Sequence, residues 1–181
     1  MSHEEKPGEM PYKFRDAGTG DIDTIMRHRR LMFTDMGYPA DRFMDDALSA
    51  SRDMFSAWMA DGRFRAWMVE TGDGEIVGGG GVLVTPHLPS PRDTNPLRPL
   101  IVNVYTAPAH RRRGIARTLM EIMLDWCRER GFGSVTLYAS TEGKPLYESA
   151  GFIPTNEMRL MLRAAPGYAD VRSATANASS F

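Results

Sequence analysis

The spacing of apolar and polar residues predicts most of the elements of this chain. Tyr12 to Arg15 reads as a short strand and Asp16 to Gly20 as a turn. Thr19 or Asp21 suits the N-cap of a helix running to about Asp35, with Ile22, Ile25, Met26, Met32 and Phe33 at roughly helical spacing. Met36-Gly37-Tyr38-Pro39 breaks that helix, and a second spans Ala40 to Met59, ended by Asp61-Gly62. Phe64 to Thr71 and Glu75 to Thr85 are strands joined through Gly72-Asp73-Gly74, a hairpin signal. Gly78 to Gly81 inside the second strand permit a bulge or a close backbone approach. The proline-rich segment Pro86 to Pro99 reads as a long irregular loop, and loops of that kind are usually functional or disordered. Leu100 to Thr106 is apolar enough for a central strand. Arg112 to Arg130 is the clearest helix, with Ile115, Leu119, Ile122, Met123 and Trp126 on one stripe and Gly131 as its stop. Ser134 to Ala139 is a strand, Lys144 to Ala150 a short helix with Pro145 near its start, and Met158 to Leu162 a last strand.

This order predicts an α/β (α+β) domain in which helices cover both faces of a mixed sheet. The domain is expected over residues 12–163, between a flexible N-terminal segment, 1–11, and a C-terminal tail, 164–181. The Ala/Ser-rich composition of that tail suits a mobile or partner-docking segment. A chain of 181 residues fits one domain, and 22 basic against 23 acidic residues leave no global field that would favour nucleic acid or an anionic membrane. The single cysteine, Cys127, excludes an internal disulfide and falls on the apolar side of its helix, where a buried inert thiol is expected. Residues 1–10 carry no signal-peptide core and no run approaches membrane-spanning length, so a cytoplasmic location is expected, without membrane association. The four histidines stand far apart, with no HExxH or CxxC, so no metal site is expected. Neither G-x-G-x-x-G nor a Walker A loop occurs.

Candidate chemistry centres on His110-Arg111-Arg112-Arg113-Gly114-Ile115-Ala116. An apolar strand precedes this run and an amphipathic helix follows it. The first turn of that helix presents unpaired N–H groups and the positive end of the helix dipole. Gly114 and Ala116 keep side chains small, and three arginines add fork-shaped donors. The arrangement suits a pyrophosphate, although it also fits a solvated basic turn. Arg111-x-x-Gly114-x-Ala116 resembles the acyl-CoA signature of the GCN5-related N-acetyltransferases (GNAT), and Leu146-Tyr147-Glu148-Ser149-Ala150-Gly151-Phe152 is similar to a second segment of that family. The order of elements from Tyr12 to Leu162 resembles the GNAT fold throughout.

The resemblance implies a mostly antiparallel sheet of about six to seven strands, four helices, and a central strand pair splayed by a bulge. It implies acetyl-CoA as acyl donor and transfer to an amine of a small molecule, amino acid or peptide in a ternary complex. A non-catalytic acyl-CoA-binding regulator is the alternative. By the same resemblance Val104, Tyr105 and Thr106 would pair with the pantetheine arm. Arg111, Arg112, Arg113, Gly114, Ile115 and Ala116 would hold the phosphates, with Ser140 touching CoA. Tyr147 would donate a proton or hydrogen bond to the departing thiolate, help typically worth 10²–10⁴-fold. Leu83, Val104 and Tyr147 would shape the acyl end of the tunnel. The fourth strand carries Asn103 but no acid, and an amide is no base. Glu70, His87, His110, Glu142 or water are the open alternatives for deprotonation. The acceptor wall is expected from the first two helices, where Arg27, His28, Arg29, Arg30, Phe33, Met36 and Tyr38 lie, together with Asn103. If they are functional rather than a solvated face over core aromatics, the arginines suit an acceptor carboxylate or phosphate. No nucleic acid is expected unless aminoacyl-tRNA is the acceptor. A homodimer is compatible with the family.

Overall fold

A computed structural model of the protein describes residues 11–160 and 162. The expectations for the two termini, 1–10 and 163–181, lie outside the described residues. Strands β1 (Tyr12–Asp16), β2 (Phe64–Thr71), β3 (Ile76–Pro86), β4 (Leu97–Thr106) and β5 (Thr136–Leu137) form one sheet in sequence order. The first four are antiparallel neighbours, and β5 joins β4 in parallel. A parallel pair needs a crossover, and helix α3 (Ile115–Glu129) supplies it. Helices α1 (Ile22–Asp35), α2 (Arg42–Ala60) and α4 (Lys144–Ser149) complete the fold.

Two apolar layers hold the sheet. Ile22, Ile25 and Met26 of α1 and Phe55 of α2 pack with Phe64, Ala66 and Met68 of β2 on one face. On the other face Leu119, Met120, Met123 and Cys127 of α3 lie on Val69, Val77, Val82 and Ile101. The glycine run of β3 brings these layers close. A side chain at Gly79 would stand 2.8 Å from the Trp67 carbonyl oxygen, and one at Gly81 would strike the Phe64 ring. Asp41 starts α2 by accepting hydrogen bonds from the N–H groups of Phe43 and Met44.

Three expectations are corrected. Among the described residues the sheet has five strands rather than six or seven, because residues 152–160 run without strand pairing. Ile153, Met158, Leu160 and Leu162 are exposed there. Their alternation marks a face to be buried but supplies no edge to pair with, and β5 offers only two residues. The irregular loop is shorter than its prolines suggest: β3 continues to Pro86 and β4 begins at Leu97, with Pro99 one residue ahead of the first β5 pair. Finally, α3 begins at Ile115 rather than Arg112, since Arg112 (φ 63°) and Gly114 (φ 85°) are left-handed and cannot belong to the helix.

Candidate active site

The site is built around a bulge in β4. Gly79 of β3 pairs with Tyr105 and Gly81 with Val102, so β4 has one residue more than its partner in this interval. Asn103 takes the left-handed conformation there (φ 58°), which asparagine tolerates better than most residues. The extra residue breaks the alternation of faces. Val102 packs on the α1–α2 side and Asn103 meets Arg29 on that same side; Val104 turns to the α3 side. Tyr105 turns back, its ring 4.9 Å from that of His28. Ladder pairing between β4 and β5 covers only Leu100 with Thr136 and Ile101 with Leu137. Past the bulge the two strands part.

The segment after β4 leads into the N-terminus of α3. Gly114 is its N-cap, without a side-chain cap, so the first N–H groups of the helix are open. Arg111 is tethered: its Nε donates to the Thr106 carbonyl oxygen at 2.9 Å and its Nη2 pairs with Asp35 at the end of α1. Arg113 reaches the Tyr12 hydroxyl at 3.5 Å. Arg112 is exposed, and its side chain has no partner among the described residues. The Thr106 hydroxyl is buried and unpartnered.

Tyr147 stands on α4 and packs, half-buried, against the apolar layer that also receives Val104 and Leu137. Phe152 meets its ring edge-on at 6.2 Å. Burial raises the phenol pKa above its ordinary value, so the group stays protonated through neutral pH. Its hydroxyl has no hydrogen-bond partner among the described residues. Ser140 shapes the turn before α4, its Oγ accepting from the Gly143 N–H at 3.1 Å.

On the opposite side of the bulge lies a polar group inside an otherwise apolar layer. Arg29 donates to Asn103 Oδ1 at 2.7 Å and to Ser51 Oγ at 3.2 Å. Its guanidinium lies 4.6 Å from the centre of the Phe33 ring. A guanidinium only donates, so the Asn103 carbonyl oxygen must face it and Nδ2 must point away. Nδ2 is buried without a partner, and Asn103 lines a cavity of about 10 Å³ with His28, Met68, Gly79 and Gly80. That is the size of a single water. His28 is 4% exposed, and burial, helped by the charge of Arg27, pushes its imidazole down to about 4.

A depressed histidine pKa has a consequence for stability. The unfolded imidazole titrates near 6.5, so between about 4 and 6.5 the unfolded state binds the extra proton. The contribution is complete above pH 6.5 and is lost as pH falls through this window, reaching about 3 kcal/mol by pH 4. Urea unfolding of wild type and His28→Leu at pH 7 and pH 4 checks this. The wild type should lose more stability than the variant by about that amount; equal losses would mean that His28 accepts a proton in the folded state.

The sequence profile of the Acetyltransferase (GNAT) family matches residues 26–152. The chain belongs to this family. A GCN5-related N-acetyltransferase from Ralstonia eutropha JMP134 is 32% identical, with 83% of this chain and 98% of that one covered and a TM-score of 0.79. A predicted acetyltransferase from Clostridium acetobutylicum, crystallised with acetyl-CoA, is 24% identical over 83% of this chain and 95% of that one, with a TM-score of 0.75. Glucosamine-6-phosphate N-acetyltransferase from Arabidopsis thaliana shares the fold at 18% identity and a TM-score of 0.58, over 84% and 97% of the two chains. No curated protein matches the sequence.

Within this GNAT domain the expected residues fall into separate groups. Val104, Tyr105 and Thr106 line the point where β4 leaves β5, and Gly114, Ile115 and Ala116 open α3. Of the expected acceptor residues, Asn103 and Phe33 meet at Arg29. Tyr38 packs on Phe33 with ring centres 5.5 Å apart, while Met36 is exposed. Arg30 points outward and pairs with Asp45 at 2.6 Å. The base alternatives are dispersed: Glu70 pairs with Arg15, the His110 ring meets the Tyr12 hydroxyl at 3.0 Å, and Glu142 is exposed. None of these, nor His87, lines the cavity beside Asn103. His28 and Arg29 belong to the expected acceptor wall, but the sequence reading did not separate them, as the inward pair, from Arg27 and Arg30. The signal was present. Arg29 is seven residues after Ile22, three after Met26 and four before Phe33, and His28 is three after Ile25, so both stand on the apolar stripe. No helix among the described residues is long and apolar enough to cross a membrane.

Proposed function

We propose that the protein is an acetyl-CoA-dependent N-acetyltransferase that passes the acetyl group directly to an amine while both substrates are bound. The observation that carries this reading is the β4 bulge at Asn103, with β5 pairing ended at Ile101. An unpaired strand edge is a template for an extended amide-bearing chain, and the arm of CoA is one. The buried, unpartnered Thr106 hydroxyl and the uncapped start of α3 extend the same path toward phosphate groups. The Thr106 carbonyl already accepts from Arg111, so the pairing falls to Val104 and Tyr105. The relative that holds acetyl-CoA supports the choice of donor.

The CoA thioester supplies the activated acyl group. Tyr147, protonated and without a protein partner, donates to the sulfur as it departs. The amine attacks in its neutral form from the α1–α2 side of the bulge. His28 stays uncharged at neutral pH, but its pKa of about 4 makes it too weak a base to hold an amine's proton. The proton therefore leaves to solvent.

Thermal unfolding with acetyl-CoA, CoA and ATP at equal concentration tests the reading. A ligand at 100 times its dissociation constant adds about 2.7 kcal/mol to stability. Both CoA species should raise the Tm and ATP should not, and the acetyl-CoA complex should release CoA when amines are added. A shift without release under any amine would favour the regulatory alternative. Absence of any shift with CoA species would overturn both.

A further inference from the structure

We infer that Arg29 anchors a carboxylate of the acceptor, and that the substrate of this enzyme is an amine bearing a carboxyl group. The inference rests on the transferase reading above. Its basis is a positive charge inside the fold without a negative one beside it. Arg15 pairs with Asp21 and Glu70, Arg30 with Asp45, Arg65 with Asp16 and Arg111 with Asp35. Arg29 is half-buried, yet its partners among the described residues are the neutral oxygens of Ser51 and Asn103 and the faces of Phe33 and Phe55. Burial lowers its pKa, the mark of a charge that the protein solvates poorly. Burying an unpaired charge destabilises a fold unless something compensates.

The geometry leaves room for that compensation from outside. Ser51 and Asn103 occupy Nε and Nη1, while Nη2 has no partner among the described residues and is not sealed from solvent. Both N–H groups of Nη2 and the second N–H of Nη1 remain to donate, which lets the end of this guanidinium, flanked by aromatic rings, meet the planar fork of a carboxylate. One charge is offered, since Arg30 is engaged by Asp45 and Arg27 is exposed. A carboxylate satisfies a single charge; a phosphate dianion calls for more. The position also fits, because Arg29 grips the side chain of Asn103, next in sequence to Val104 where the arm of the donor is proposed to lie.

The test compares acceptors in pairs. CoA release from acetyl-CoA is measured with each of the twenty amino acids and with its α-carboxamide, using the full chain and its Arg29→Gln and Arg29→Lys variants. Wild type should turn over at least one amino acid with kcat/KM ten or more times that of its amide, the difference residing in KM. Arg29→Gln should bring the two acceptors within about threefold of each other. Arg29→Lys keeps the charge without the fork, and guards against a folding failure of the first variant by retaining part of the preference. A second readout is the Tm shift produced by propionate with CoA present, expected in wild type and absent in Arg29→Gln. Amides equal to or better than amino acids, or a carboxylate effect indifferent to Arg29 in both readouts, would overturn the inference. The transferase reading fails separately, by loss of the acetyl-CoA shift itself.

Discussion

Tyr147→Phe is expected to lower kcat about 10²-fold while the affinity for acetyl-CoA stays within about twofold. The substitution removes one oxygen from a side chain whose ring is packed against Phe152 and the α3 layer, so the fold loses no apolar contact. That hydroxyl has no hydrogen bond to the described residues, and its removal leaves no buried partner stranded. The expected effect therefore falls on the step in which sulfur departs. The pH profile gives an independent check. Burial raises the Tyr147 pKa above the ordinary phenol value, so the donor is the neutral phenol through neutral and mildly alkaline pH. Activity would be lost only as pH climbs through that raised pKa. Meanwhile the amine must be neutral, which makes the rate rise with pH. Wild-type kcat/KM should accordingly climb toward the amine pKa without a descending limb below about pH 10. Steady-state CoA release from pH 6 to pH 10 measures it. An alkaline fall near pH 8 would assign the proton donor to a group of lower pKa, and an unchanged kcat in Tyr147→Phe would remove the residue from the chemistry.

Elements whose signal is local were legible in the sequence. The bounds of Phe64–Thr71 are legible because turn residues bracket an apolar run, Asp61-Gly62 before it and Gly72-Asp73-Gly74 after it. The start of α3 was misplaced because arginine is a good helix former, and only the backbone angles at Arg112 and Gly114 show the turn. The last strand was misread because alternation at Met158, Leu160 and Leu162 says nothing about whether an edge is available. In the candidate site, both motifs could be read because they combine small residues and charges at fixed spacing. The Arg29–Asn103 contact joins residues 74 positions apart and depends on a one-residue bulge that changes which face Asn103 occupies. Helical periodicity alone would have favoured Arg29 over Arg30 as the inward arginine, but a charged residue on an apolar stripe reads first as an exception.

The second large effect is expected at the start of α3. Gly114→Val should raise the dissociation constant for acetyl-CoA about a hundredfold. Gly114 sits at φ 85°, where a side chain branched at Cβ is strained. The turn must either bear a cost of about 1–2 kcal/mol or change shape. Changing shape rotates the N–H groups of residues 114–116 away from a common focus. Hydrogen bonds from backbone to a charged phosphate contribute about 1.5–3 kcal/mol each, so losing one or two accounts for the expected factor. Arg111 should survive the change in place, since its guanidinium is held by Thr106 and Asp35 rather than by the turn. The effect should therefore be specific to the phosphates. Isothermal titration with acetyl-CoA and with acetylpantetheine, which shares the arm and thioester but lacks the pyrophosphate, separates the two contributions. Gly114→Val should weaken the first about a hundredfold and the second less than threefold. Equal weakening of both would place the damage in β4 and the bulge, and would mean that the helix start is not where the phosphates bind.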